Sequence, residues 1–577
     1  MMKYSLLIML LMFICLGMGY SESYDATMAE WTNLLPAIPE TGQSAVFTAK
    51  ISAPYRRMPL SVVFRSRNKT FAVSLKDDGA RGDEKAGDGI FGCVFPAQNE
   101  PGYWFCLVAA GASNQPQIFS IPQTFAVSPK NTEYRAIWAD LWNQGFLTPE
   151  QARQFVQTAR QGNFNAVIVQ VRKVGDAAYN SRIEPRSSNI KDSSYDPLKY
   201  IIDLAHDTSG GKKRLEVHAW VVVYRVHKGS AKSGLPRSPH ILGKHPEWAS
   251  KNLEGELFVE NSVCLDPGVP GVTDYNISVF EDIVSRYDVD GINFDYIRYQ
   301  ARGWGYNAIA LQRFRKLYSR KDTPNARDPQ WLEFQREQVT HFLRKAYIWL
   351  TAIKPNLKVS VCTIGWGDIP GGDFTRTDAY AGGVQDWNEW QRLQILDVNF
   401  RMGYKNQSNP KHKNQFINWT RFSLGHQYFR LSPIGLGAYL NSTEGTLSQI
   451  DYARQNGADG FGYYCYNEPA KNTKPTSSYY QAFAKKAFPV WADVPPLAWK
   501  ESNRNGSLAG IVRRGGQPLD GAIVSLPEIK MSAKTDGTGF YAFIGVPTGK
   551  FKIAVNGKTV GTREVQASRI SYCDIKY

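Results

Sequence analysis

The heptapeptide Asp290-Gly291-Ile292-Asn293-Phe294-Asp295-Tyr296 decides how this chain is read. Side chains alternate with a period of two along a strand, so Ile292 and Phe294 share one face while Asn293 and Asp295 share the other. The apolar face calls for helices packed against it. The face carrying Asn and Asp calls for an enclosed, partly polar interior. Asp290 opens the run and Asp295 closes it, so the two carboxylates are expected at opposite ends of one strand.

Seven further strand-like runs lie around it: Arg135–Asp140, Ala166–Arg172, Leu215–Val223, Val359–Ile364, Ile395–Tyr404, Ile434–Tyr439 and Gly460–Tyr466. Helical stretches separate them. One begins at Thr148-Pro149-Glu150-Gln151, where Thr148 can cap, Pro149 suits the first turn and Gln151 can reciprocate. Strand–helix alternation over residues 131–490 predicts an α/β domain, a (β/α)8 TIM-type barrel with elaborated loops. A doubly wound open sheet competes, but no glycine-rich phosphate loop follows any strand.

The flanks read differently. Residues 22–130 hold short alternating runs such as Ala45–Ile51, Ser61–Arg65 and Thr70–Leu75, which predict an immunoglobulin-like β-sandwich. Residues 491–506, with Pro495-Pro496, have the composition of a linker, and residues 507–577 again predict a small β-sandwich. Within Asp77–Gly89, the carboxylates of Asp77, Asp78, Asp83 and Asp88 could wrap a structural calcium ion, or serve only as turn formers. Cys93 and Cys106 flank the turn-rich Gln98–Gly102, and a hairpin centred there would oppose them as a disulfide. With no C-x-x-C and no H-E-x-x-H, a zinc site has no support.

Composition bounds the class. The 577 residues are 43% apolar and 21% charged, the balance of a folded multidomain protein. Lys and Arg number 68 against 52 Asp and Glu, a net +16 that favours anionic surroundings: nucleic acid, a lipid face or an acidic polymer. No recognition motif or concentrated basic segment supports nucleic acid. Met1-Met2-Lys3 precedes an apolar run, Leu6–Gly19, too short to span a bilayer and closing on small residues. A signal peptide over residues 1–21 is expected, giving a secreted, periplasmic or cell-envelope protein with no membrane span.

In a (β/α)8 barrel the reactive groups sit at the C-terminal strand ends. Asp295 is therefore the foremost catalytic candidate, whereas Asp290, Asp397 and Asp459 open their strands and belong at the foot. Arg172, His218, Trp220, Tyr224, Asn293, Tyr296, Trp366, Tyr404, Tyr439 and Tyr464 are expected to line the pocket. Such a set offers ring faces for stacking and hydrogen bonds for hydroxyls, as a sugar requires. Cleaving an O-glycosidic bond usually takes two carboxyl groups across it. Glu468 and Asp368 are the expected partners of Asp295, with Asp140 behind them. No cofactor is required for that chemistry.

His218-Ala219-Trp220, Asp266-Pro267-Gly268, Asp290–Asp295 and Gln385-Asp386-Trp387, in this order, resemble the family-10 glycosyl-hydrolase-like group of exported bacterial proteins. The resemblance implies a (β/α)8 catalytic domain and cleavage of glycan strands, including peptidoglycan stripped of its peptides, an anionic cell-wall polysaccharide. The pattern departs at Tyr296, where the group commonly has a second Asp, and at Val222-Val223, where it commonly has Asn-Pro. In the tail, Gly510-Ile511-Val512, Gln517–Ala522, Thr535-Asp536-Gly537 and Val546–Gly549 resemble a carboxypeptidase-regulatory-like β-sandwich, a structural or adhesive module. The expected function is a secreted glycoside hydrolase. The alternative is a non-catalytic glycan-binding or envelope-scaffold protein on a decayed barrel.

Overall fold

A computed structural model describes residues 23–112, 117–502 and 504–577, and the expected signal peptide lies outside them. Eight parallel strands close into a barrel: β1 Tyr134–Ala139, β2 Ala166–Arg172, β3 Glu216–Val222, β4 Gly291–Asp295, β5 Lys358–Ile364, β6 Val398–Met402, β7 Ile434–Gly437 and β8 Gly460–Tyr464. The first and last strands pair in register from Tyr134↔Gly460 to Ile137↔Tyr463. Among the described residues, no helix is long and apolar enough to cross a membrane.

Side-chain alternation sorts the barrel as the heptapeptide predicts. Ile292 and Phe294 join Val167, Val169, Val217, Ala219, Val359 and Val361 in the layer beneath the helices. Tyr134, Trp138, Ile168, Trp220, Cys362 and Phe400 fill the interior as a separate core. Asn293 lies inside, where its amide donates to Ser360 Oγ at 2.9 Å and its carbonyl accepts from the Cys362 thiol at 3.2 Å. Gly462 makes room for this filling. A Cβ there would stand 2.5 Å from the Trp138 ring, which packs edge-on against Phe400 at 4.8 Å between centroids.

The foot of the barrel is tied by a repeating device. The residue before each even-numbered strand accepts a backbone N–H from the odd-numbered strand before it. Asn165 takes Arg135 N at 2.8 Å, Asp290 takes Val217 N at 2.8 Å and Asp397 takes Val359 N at 2.8 Å. Asp459 takes the N–H of Ser432, two residues before β7, also at 2.8 Å. Buried backbone donors need partners, and these side chains supply them where the ladder has not yet begun.

The stretch with linker composition is docked rather than free. Leu497 and Trp499 belong to the interior core and seal the floor. Trp499 Nε1 donates to Asp397 at 2.7 Å, the Lys500 ammonium pairs with the same carboxylate at 2.7 Å, and the Arg430 guanidinium lies 4.4 Å from the Trp499 ring. Its prolines remove backbone donors from a segment that packs by side chains.

Both flanks are two-sheet assemblies over their own cores. In the N-terminal one, a three-stranded and a six-stranded sheet enclose Phe47, Phe64, Phe95, Trp104 and Phe125. The expected hairpin disulfide is corrected here. Ile90–Phe95 pairs with Ala45–Ile51 in one sheet and Gly102–Ala110 pairs with Leu60–Arg65 in the other. Cys93 and Cys106 therefore lie on facing sheets rather than across one hairpin, and both are free, buried thiols. The C-terminal sheets cover Leu508, Val512, Val524, Phe543 and Ile553. That unit docks on the barrel through Arg313–Asp520 at 2.8 Å and Lys534–Glu337 at 2.7 Å.

Asp397 serves Val359 N, Trp499 Nε1, the Tyr347 hydroxyl and Lys500 at once. Asp397→Ala strands a buried ammonium and several donors, and should cost about 3–5 kcal/mol in urea unfolding. Asp397→Asn, which keeps one acceptor, should cost less. An Ala variant within about 1 kcal/mol of the parent, the size of a typical single-site change, would show that the foot does not hold the barrel.

Candidate active site at the barrel mouth

Asp295 ends β4 inside the barrel and is 9% exposed. One carboxylate oxygen accepts the Tyr296 N–H at 2.7 Å and the other accepts the Trp220 indole N–H at 3.2 Å. Burial pushes its pKa above the ordinary carboxylate value, opposed by these hydrogen bonds and by the Arg225 and Arg298 guanidiniums. A carboxyl biased toward its protonated form suits the donation of a proton to a leaving oxygen.

Tyr404, Tyr439 and Tyr464 end or follow β6, β7 and β8 and form a half-buried aromatic wall. Tyr404 stacks on Tyr464 at 5.3 Å, Tyr439 stands edge-on to both at 6.1 and 5.9 Å, and Trp220 meets Tyr464 at 6.3 Å. Asp140 and Asp295 both act electrostatically on the Tyr464 hydroxyl. Asp140 is buried at the end of β1, where it accepts the N–H groups of Trp142 and Asn143 at 2.8 and 2.9 Å.

Four loop cations lie against a second set of aromatic rings, a partnership that no local pattern in the sequence announces. Tyr296 lies between Arg225, 3.9 Å from its ring, and Arg298, 4.7 Å away, and Arg298 also covers Trp366 at 5.0 Å. Trp142 has Lys173 at 4.1 Å and Lys228 at 4.5 Å. Trp142 and Trp366 remain 43% and 46% exposed, so each ring keeps surface for a ligand. Arg225 and Lys228 reach the mouth because an antiparallel pair, Arg225–Lys228 with Ser262–Cys264, is inserted after β3. Their only sequence signal was position just past a strand end.

Several expected site residues lie elsewhere. At β2, two residues oppose one on β3, so that Arg172 pairs with the helix-facing Val221. This bulge changes the parity of the strand and turns Arg172 out of the interior. Its wholly buried guanidinium pairs with Glu184 at 2.7 Å and donates to the Val222 and Val223 carbonyls. His218 faces inward but near the foot, where Nε2 meets the Tyr134 hydroxyl at 2.9 Å and Glu216 at 3.2 Å. Tyr224 packs on Phe342 in the helix layer at 5.5 Å. Asn293 is spent on Ser360 and Cys362 below Asp295. None of these four presents its polar group to the mouth.

The expected partner carboxylates also differ in setting. Glu468 is half-buried, accepts Asn472 N at 3.2 Å and acts on Tyr439. Asp368 is exposed and held by Asn418 at 3.0 Å. Of the recurring tripeptides, Gln385 braces the mouth: it accepts Ile364 N at 2.8 Å and donates to Ile297 O at 3.2 Å, linking the ends of β5 and β4. Asp266 is buried below the loops and accepts Gly268 N at 2.9 Å, a turn brace rather than a mouth carboxylate.

In the N-terminal loop, Asp77, Asp83 and Asp88 bring carboxylate oxygens within 4.8 Å of one another, a set with the oxygen chemistry calcium prefers. Asp78 turns away to Arg81, which corrects the expected four-carboxylate set. The three also accept backbone N–H groups from Gly79, Lys85, Gly87, Gly89 and Ile90, so the turn has its own hydrogen bonds.

The C-terminal end of this eight-stranded parallel barrel thus gathers buried and loop carboxyls, an aromatic wall and exposed tryptophan faces. Residues 133–418 match the model of the glycosyl hydrolase-like 10 family, the group whose tripeptides the chain carries. The chain is 26% identical over 308 residues to "Glycosyl hydrolase YngK" of Bacillus subtilis, covering 49% of this chain and 56% of that one. It is 29% identical over 254 residues to "Glycosyl hydrolase DigH" of Escherichia coli K12, covering 40% and 53%. It thus spans about half the length of these relatives. Among solved structures, the PgaB (BpsB) glycoside hydrolase domain of Bordetella bronchiseptica is 16% identical, with a TM-score of 0.43 and coverage of 58% of this chain and 94% of that one.

The raised pKa of Asp295 makes a stability prediction. A carboxyl whose folded pKa exceeds its unfolded value contributes stability that is complete below the unfolded value near 4 and is lost as pH rises through the folded one. The stability of the parent relative to Asp295→Asn should therefore fall as pH rises from about 4 toward neutrality, measured by denaturant unfolding. A difference constant across that range would mean that Asp295 is not held toward its protonated form.

Proposed function

We propose that this protein is a secreted or envelope-located glycoside hydrolase that cleaves O-glycosidic bonds in an anionic polysaccharide, peptide-free peptidoglycan strands being the leading candidate. The observation that carries this reading is Asp295: a buried carboxyl at the top of β4 whose pKa burial raises, beside an aromatic wall. Asp140 is its proposed partner, because both carboxylates, at the ends of β1 and β4, act on the same Tyr464 hydroxyl. In this role Asp295 protonates the leaving oxygen and Asp140 acts as nucleophile or base. Glu468, farther round the wall beside Tyr439, is the second choice. Lys173 and Lys228 with Trp142, and Arg225 and Arg298 with Tyr296 and Trp366, supply cations beside stacking faces, which suits sugars bearing carboxylates.

A glycan-binding scaffold without turnover is the rival reading. Tyr296, standing where the family commonly has a second Asp, favours it. Asp295→Asn separates the two. The amide keeps shape and one acceptor but cannot exchange a proton, so turnover per folded molecule should fall about 10²–10⁴-fold, or about 3–5 kcal/mol of barrier, with glycan binding retained. Unchanged turnover in the folded variant, or no turnover by the parent on any glycan of a defined panel, would favour the scaffold.

The cationic rim has its own test. Lys173→Ala/Lys228→Ala should raise KM for carboxylate-bearing strands about tenfold, the effect of losing roughly 1.4 kcal/mol, with kcat little changed. Carboxyl-reduced strands should be cleaved equally by both proteins. An equal KM change on charged and reduced strands would assign the lysines a structural role instead.

A further inference from the structure

Three buried guanidiniums in this barrel invite comparison. Arg172 has Glu184 as its counter-ion, and Arg430 donates to the carbonyls of Leu396 and Phe429 at 3.0 Å each. Arg401, on β6, is equally buried at 0% exposure but lacks both kinds of partner. Its Nε donates to Ser423 Oγ at 2.7 Å, while Nη1 and Nη2 have no acceptor among the described residues.

The head of Arg401 lies under the loop that follows β5. A Cβ at Gly365 would stand 3.0 Å from Nη1, and one at Gly403 would stand 3.0 Å from Nη1 and 3.3 Å from Nη2. Bare backbone therefore walls the guanidinium on two sides. The ring of Trp419 lies 5.8 Å from the guanidinium carbon. Nearby, the buried Lys405 ammonium donates to Gly367 O at 3.0 Å, and Trp419 Nε1 donates to the same carbonyl at 3.2 Å.

The charge is unbalanced at this point. Burial alone lowers the Arg401 pKa to about 9, with no carboxylate acting on it. Lys405 is lowered to about 8 by burial and then by Arg401, and the acids that act on it, Asp368 and Asp378, are exposed. Two neighbouring buried cations with unfilled donors are costly without an anion.

We propose that Arg401 and Lys405 bind a small inorganic monoanion of chloride size beneath the Gly365–Asp368 loop, fixing the segment that carries Trp366 to the mouth. The wholly buried head is beyond the reach of a polymer carboxylate, and the close approach of Gly365 and Gly403, where even an added Cβ would stand 3.0 Å from Nη1, favours a monatomic ion over phosphate. The inference does not depend on the glycosidase reading, since neither the ion nor its test involves glycan.

The test is thermal unfolding of the full chain in sodium chloride against sodium gluconate at equal ionic strength. An ion that binds only the folded state should raise Tm saturably, by a few degrees at most for so large a protein. Arg401→Met, an apolar replacement of similar length at a site where buried charge is readily exchanged for packing, should fold and lose the chloride increment. Equal Tm values in the two salts, or the same chloride increment in Arg401→Met, would overturn the proposal and assign the guanidinium to water. Crystals grown in sodium bromide give a check on the parent protein alone. An anomalous peak is expected at hydrogen-bonding distance from Nη1 or Nη2, and its absence would likewise reject the site.

Discussion

Four side-chain acceptors at the foot of the barrel hold the rest of the structure in register. Asn165, Asp290, Asp397 and Asp459 each precede an even-numbered strand and each receive a backbone N–H at or just before the odd-numbered strand that precedes it. A parallel sheet has no hairpins to fix the stagger of its strands, so the alignment must come from contacts distant in sequence. A carboxylate or amide at the strand start provides one, and it satisfies a donor that the ladder has not reached. Asp397 extends the device downward by gripping Trp499 and Lys500, which turns a proline-rich tail segment into the barrel floor.

The same geometry separates the barrel into a foot used for cohesion and a mouth left for chemistry. Acids at the foot are tied by backbone amides and cations, as Asp290 is by His206, Arg214 and Val217, which holds its pKa well below the usual range. Asp295, one strand length above Asp290, meets burial with fewer compensating bonds and shifts the other way. Two aspartates at the two ends of β4, Asp290 just before it and Asp295 its last residue, thus differ in proton affinity because their surroundings differ, not their chemistry.

Cations and aromatics at the mouth are arranged by loops from different strands. Trp142 follows β1, Lys173 follows β2, Arg225 and Lys228 follow β3, Tyr296 and Arg298 follow β4, and Trp366 follows β5. Of these, only Tyr296 and Trp366 stand out in the sequence as pocket candidates. Together all of these residues form two cation–ring stacks beside Asp295 and Asp140, and the braces at Gln385 and the Asp140 turn hold their loops to the strand ends.

The sequence by itself determined the barrel, the inward face of Asn293 and Asp295, and the division of aspartates between foot and mouth. All three follow from a period of two and from position along a strand, which are local properties. Tertiary structure alone decided where parity breaks, as at the β2 bulge that carries Arg172 out of the interior to Glu184. It decided depth as well, leaving His218 low in the barrel beside Tyr134. It also set the two cysteines on facing sheets and drew Leu497 and Trp499 of the proline-rich stretch into the floor. These outcomes depend on register and on contacts between segments hundreds of residues apart, which the alternation within any one strand does not encode.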